Sequence, residues 1–344
     1  MKNKSNKRSN ILLFLASLLV AFIIAEVFLW KFYTHLGTFP KSGEKYCIAY
    51  SEYLPFTTPA GIDFHHKSEA NEFEVDYRFD ANGFRKTNIQ RQTNSDNKIL
   101  LMGDSYTLGW GSHEDSCFAA RIARYENEKG YQVLNAGYTA SCSPDAYFAY
   151  LERNINTIRP KVVIVFLYTG NDRRDMQTTY WERTNAQGFP VRIRSLRFYS
   201  DYMGKIIRLE NNEVPMLYKI PVLNRSRILV GLSNLFLKKE QTKTEALYKL
   251  YKSLNGIQQI CKSYHTNLFM FLIPPKSLYN GKQDKEEKEL ILFSSALRVL
   301  EIPNYSLQND LDTTCYFSID KHFNDKGNRL SYSKMISVLD TVLR

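Results

Sequence analysis

KILLMGDSYTLGWG, residues 98–111, is the stretch on which the reading of this chain turns. Four apolar residues, Ile99 to Met102, stop at Gly103-Asp104-Ser105, and Gly109-Trp110-Gly111 follows. A short apolar run bounded by turn residues is the pattern of a buried strand. What comes after it alternates. CFAARIARYENEKG (117–130) reads as a helix closed by Gly130, and YQVLNAG (131–137) as a strand. DAYFAYLERNINTI (145–158) puts Tyr147, Leu151, Ile155 and Ile158 on one helical face, and Pro160 ends it. KVVIVFLYTGND (161–172) is apolar almost throughout, as a central parallel strand covered on both faces should be. Strand-helix-strand-helix-strand at this spacing implies right-handed crossovers and a parallel sheet.

Residues 176–243 interrupt the alternation with aromatics, Arg and Pro, and read as an insertion forming a lid or a substrate wall. The pattern then resumes: a helix over 244–265, the strand NLFMFLIPP (267–275), a helix over 286–300 and a last helix from about 326 to 343. The fold class is therefore α/β, a three-layer α/β/α sandwich around a central, mainly parallel sheet. Upstream, FEVDYRFDANGFR alternates Phe73, Val75 and Tyr77 with charged residues before an Asn82-Gly83 turn, so residues 34–97 read as an accessory β-rich segment. Adjacent His65 and His66 would point apart on a strand, which argues against a shared metal. The organisation expected is a basic tail (1–10), an apolar anchor (11–33), the accessory segment (34–97) and the α/β domain (98–344).

The chain has 344 residues, 44% apolar and 24% charged, ordinary proportions for a globular protein with a large core. Net charge is +11, unevenly placed. Residues 176–245 carry twelve Lys and Arg against six Asp and Glu, which reads as a solvated basic face. No zinc-finger, homeodomain or RNA-binding pattern occurs, so nucleic acid is not an expected partner. Lys2, Lys4, Lys7 and Arg8 precede ILLFLASLLVAFIIAEVFLW (11–30), whose one charge is Glu26. Twenty helical residues rise about 30 Å, the thickness of a bilayer core. The basic flank predicts a cytoplasmic N-terminus and the rest of the chain outside it, periplasmic or extracellular. A cleaved signal peptide would have a shorter apolar region and a small-x-small site, which this stretch lacks, so an uncleaved anchor is expected. The five cysteines are compatible with export, and their odd number leaves at least one thiol out of any disulfide.

Ligands of open parallel sheets sit beyond the carboxyl ends of the strands. There the sequence presents Gly103-Asp104-Ser105, Asn135-Ala136-Gly137 and Gly170-Asn171-Asp172, and, before the last helix, Asp320-x-His322 with Asn324 and Gly327. Taken singly, each is an ordinary turn or capping residue. Together they place a Ser, a Gly, an Asn and an Asp/His pair at one rim. Asp104 and Asp172 read as structural, bonding loop N–H groups.

These four blocks, GDS (103–105), NAGY (135–138), GND (170–172) and DKHFNDKG (320–327), resemble in order and placement the SGNH, or GDSL-type, serine hydrolases, across roughly residues 98–340. The resemblance implies Ser105 as nucleophile, His322 as general base and Asp320 as its orienting acid. It also implies an oxyanion hole from the N–H groups of Ser105 and Gly137 and the side chain of Asn171. No metal or organic cofactor is implied. One departure stands out: many members carry the acid three residues before the His, where this chain has Ile319, and here the acid is two before. Asp310 and Asp312 are the weaker substitutes for it. The expected activity is that of a membrane-anchored serine esterase. Its substrate would be an acylated carbohydrate or another ester, with O-acetyl groups of envelope or extracellular glycans foremost. The alternatives are an O-acyltransferase using the same triad and a catalytically silent glycan-binding or assembly module.

Overall fold

The computed structural model describes residues 2–32, 47–68, 70–87, 96–195, 199–200, 206–207, 220, 223, 226–229, 232, 243–281 and 283–342. The end of the expected anchor at residue 33, two stretches of the accessory segment and most of the insertion beyond 195 lie outside the described residues. The chain divides into two units, residues 1–41 with 210–239, and residues 42–209 with 240–344.

In the first unit, α1 (Lys2–Phe32) contains a 24-residue stretch, Arg8–Lys31, long and apolar enough to cross a membrane, with a mean hydropathy of 2.8. The one acid in that stretch is satisfied within its own unit. The Glu26 carboxylate accepts from Ser226 Oγ (3.2 Å), from the Ile228 N–H (3.1 Å) and from the Arg227 N–H. The Arg227 guanidinium lies 4.6 Å from the Trp30 ring centre.

The second unit holds the sheet. Its strands are β3 (Lys98–Gly103), β4 (Gln132–Gly137), β5 (Val162–Tyr168), β8 (Asn267–Ile273) and β9 (Asn304–Ser306). They run parallel in the order β9-β8-β5-β3-β4. Alternation of side chains assigns each residue to a face. On β5, Val163, Val165 and Leu167 join one core with α4 (Pro144–Ile158), α6 (Lys243–Ser263) and α7 (Gln283–Val299). Val162, Ile164 and Phe166 join the other, with α3 (Phe118–Glu128) and α8 (Asp325–Val342). That is the three-layer sandwich expected, with apolar residues of β5 buried on both sides. All five cysteines are buried.

Two features differ from the sequence reading. β9 was not expected, because its three residues, Asn304-Tyr305-Ser306, carry no apolar run. The start of the insertion is packed into the core. β6 (Thr179–Thr184) and β7 (Pro190–Ser195) form an antiparallel hairpin that buries Phe189 and Ile193 in the core shared with α4 and α6. In the accessory segment, β1 (Asp63–Lys67) pairs antiparallel with β2 (Glu74–Arg78). His65 is exposed and bonded to Asp76 and Glu74, whereas His66 is buried against Trp110, 4.7 Å between ring centres.

Candidate active site

β3 ends at Gly103, and Asp104 caps the short helix α2 (Ser105–Leu108). The Asp104 Oδ1 accepts the N–H of Tyr106 at 2.9 Å. Ser105 is thereby the first helical residue, a position whose N–H has no acceptor inside the helix. Gly109, at φ +83, closes the turn where a Cβ would meet Cys117 Cβ at 2.6 Å and Arg85 Nη1 at 2.7 Å. Arg85 is fully buried and secures this loop, donating to the carbonyls of Leu108 (2.6 Å), Gly109 (2.7 Å) and Ser112 (2.5 Å).

The residues farthest apart in sequence meet here. Ser105 Oγ lies 2.7 Å from His322 Nε2, and His322 Nδ1 lies 2.5 Å from Asp320 Oδ1. An Nδ1–H donated to Asp320 leaves the Nε2 lone pair free to accept the Ser105 hydroxyl proton. Trp110 donates its Nε1–H to Asp320 Oδ2 at 3.3 Å. Burial opposes ionisation of Asp320, but the His322 and Trp110 hydrogen bonds outweigh it and hold the carboxyl below its ordinary value. Tyr106 packs 4.9 Å from the His322 ring and donates its hydroxyl to the Lys321 carbonyl at 2.8 Å. Asp310 and Asp312 are engaged elsewhere, with Tyr305 and with Thr314 and Lys326.

At Gly137 the N–H donates to Asn135 Oδ1 at 2.9 Å, within its own strand end. The glycine is needed for close approach: a Cβ there would sit 2.1 Å from Leu108 N and 2.5 Å from Thr107 C. Asn135, which the sequence reading passed over, ties β4 to the nucleophile's helix by donating Nδ2–H to the Thr107 carbonyl at 3.0 Å. Asn171 caps α5 (Asp172–Asp175) just beyond β5, the strand hydrogen-bonded to β3. Its N–H donates to the Tyr168 carbonyl at 3.3 Å, and its Oδ1 is buried with no partner among the described residues.

Asp104 and Asp172 lie buried beneath this rim and serve their loops, Asp172 Oδ2 accepting the Tyr168 N–H at 3.1 Å. Burial pushes the Asp104 carboxyl up to about 7, with the charge of Asp175 adding to the shift, and burial raises that of Asp172 as well, with the charges of Asp104 and Asp175 adding to it. Asn324 and Gly327 shape the entry to α8: the Gly327 N–H donates to Asn324 Oδ1 at 3.1 Å.

No family model matches the chain. No curated protein matches it either. Among solved structures it is similar to TesA, at 12% identity and a TM-score of 0.42 over 71% of this chain and 98% of that one. It is similar to Est24, a carbohydrate acetylesterase from Sinorhizobium meliloti, at 13% identity and a TM-score of 0.39 over 71% of this chain and 99% of that one. A member of the lipolytic protein G-D-S-L family from Veillonella parvula gives 13% identity and a TM-score of 0.40 over 71% and 98%. These are distant likenesses, and the chemistry of the site has to follow from its own geometry.

Proposed function

We propose that the chain is a serine ester hydrolase of the SGNH kind. The observation that carries this is the chain of contacts Ser105 Oγ, His322 Nε2, His322 Nδ1, Asp320 Oδ1, with steps of 2.7 and 2.5 Å. A serine hydroxyl becomes nucleophilic when an adjacent base takes its proton as it attacks. His322 is that base, and ionised Asp320 fixes its tautomer and stabilises the imidazolium. Attack on an ester carbonyl puts negative charge on oxygen. The Ser105 N–H, which has no acceptor inside its own helix at the start of α2, and the Asn171 carboxamide are the donors for it. His322 then gives the proton to the leaving alcohol. Water, deprotonated by the same imidazole, cleaves the acyl-Ser105 ester.

The substrates proposed are O-acyl groups, O-acetyl foremost, on envelope or extracellular glycans. The enzyme would be tethered by α1 with its N-terminus in the cytoplasm. Support for this part is the apolar length of Arg8–Lys31 and the basic residues before it.

The test uses the full chain in detergent micelles. Wild type is expected to hydrolyse p-nitrophenyl acetate and to be labelled by a fluorophosphonate probe, and Ser105→Ala to do neither. Activity undiminished in Ser105→Ala would refute the mechanism. With acetylated glycans, free acetate supports the hydrolase, and an acylated acceptor sugar would convert the assignment to an acyltransferase.

A further inference from the structure

The two-residue spacing of Asp320 and His322 carries a geometric demand. On an extended strand, residues two apart have side chains on the same face about 6.5 Å apart. Here the two side chains meet at 2.5 Å across a sharp turn instead. Lys321 supplies it at φ +75, a conformation that residues other than glycine rarely adopt. Such a backbone persists only where its surroundings over-determine it.

The surroundings of loop 317–322 do this group by group. The Phe317 N–H donates to the His322 carbonyl at 2.8 Å and closes the loop. Lys276 Nζ donates to the carbonyls of Phe317 (3.0 Å) and Ser318 (3.2 Å), and the Tyr106 hydroxyl donates to that of Lys321. The two N–H groups that precede the turn, those of Ile319 and Asp320, both donate to Glu72. Ile319 is 3.0 and 3.1 Å from its two carboxylate oxygens, and Asp320 is 2.8 Å from Oε2. Glu72 lies outside the α/β sheet, in the turn joining β1 to β2. Its own N–H is fixed by Ser68 Oγ at 2.8 Å, and its neighbour Phe73 packs on Phe317, 5.1 Å between ring centres.

We propose that Glu72 is a positioning residue for catalysis: it grips the backbone N–H groups of Ile319 and Asp320 and so holds Asp320 in reach of His322. The proposal rests on the reading of that pair as the acid–base partner of Ser105. Glu72 touches neither substrate nor the reacting atoms. The hairpin does not depend on it for attachment, since Phe73, Val75, Tyr77 and Phe79 are buried beside Leu108 and Trp110. Glu72→Ala is therefore expected to fold.

The experiment compares wild type, Glu72→Gln, Glu72→Ala and Glu72→Ala/Lys321→Gly as full chains. It reads kcat and KM for p-nitrophenyl acetate, melting temperature, and the low-field proton resonance of a short imidazole–carboxylate hydrogen bond. Glu72→Ala is expected to lower kcat about 10- to 100-fold with KM little changed, the cost of a group misplaced by about 1 Å. Glu72→Gln keeps one acceptor oxygen and should lose less. Adding Lys321→Gly removes the steric penalty of the turn and should recover part of the loss, which a simple folding defect would not show. The low-field resonance should weaken in Glu72→Ala and return in the double variant. A Glu72→Ala enzyme with unchanged kcat and resonance overturns the proposal, as does a loss that Lys321→Gly does not recover. If wild type shows the resonance but no hydrolysis, the esterase reading fails, and the resonance in the variants still decides the role of Glu72.

Discussion

Replacing Gly137 by Ala tests what this glycine is for. The added Cβ would sit 2.1 Å from Leu108 N, 2.5 Å from Thr107 C and 2.7 Å from Leu108 Cα. Ordinary contact begins at 3.4 Å, so the backbone of α2 and that of β4 must separate by about 1.3 Å. Neither side is a flexible side-chain tip. β4 is locked to β3 along its length, and the Thr107 carbonyl is tied to Asn135. The displacement therefore falls on the short helix that begins with Ser105. Overpacking of this kind costs about 1–3 kcal/mol of stability. A shift of about 1 Å in a reacting group costs about 100-fold in rate. Both losses are expected together: a lower melting temperature, and a kcat for p-nitrophenyl acetate about 100-fold down with slower labelling by a fluorophosphonate. The N–H of residue 137 is unchanged by the substitution. A Gly137→Ala protein with wild-type melting and wild-type kcat would refute the close-approach argument.

Three further substitutions probe other parts of the site. Asn171→Ala should lower kcat about 10²–10³-fold with little effect on KM, the usual cost of one oxyanion donor; an unchanged kcat would remove Asn171 from that role. Arg85→Met should destabilise the protein by about 2 kcal/mol or more, because the buried carbonyls of Leu108 and Ser112 lose the guanidinium donor at about 1–3 kcal/mol each while that of Gly109 keeps the Ser112 N–H, and urea unfolding measures it. Asp104→Asn should change how stability depends on pH. The folded protein keeps on Asp104 a proton that the unfolded chain releases near 3.8, so the contribution of Asp104 to stability falls as pH rises from about 4 to about 7 and then levels. Asn retains a capping oxygen without the ionisation, so the melting temperature of the variant should gain on wild type across that window; parallel profiles would count against a buried, protonated Asp104.

The core strands were legible because each is an apolar run that ends at a turn residue. β3, β4 and β5 fall within a few residues of the runs that predicted them. β9 was hidden because an edge strand of three mixed residues has no period to detect. The two strands of the hairpin after residue 178 went unread for a related reason: its apolar residues, Phe189 and Ile193, are sparse along the chain and become a core only against α4 and α6. At the site, Ser105, Asp320 and His322 were found by motif order, and the structure brings them together. Gly137 was singled out for a bare N–H, and the structure adds a close backbone contact with Thr107 and Leu108. A bare N–H and a close backbone contact both demand glycine, and only coordinates separate them. Trp110 and Glu72 carried no readable signal, since each acts on a residue more than two hundred positions away.

The grip of Glu72 on the Asp320 loop separates two lengths of chain that are easily confused. A fragment beginning at residue 98 would contain every strand of the parallel sheet, together with Ser105, Asn171, Asp320 and His322. It would lack the hairpin that covers Trp110 and holds the turn before His322. It would also lack Arg85, whose guanidinium holds the carbonyls of Leu108, Gly109 and Ser112, and the core residues Leu54 and Phe84, so the span of the parallel sheet is shorter than the unit that folds.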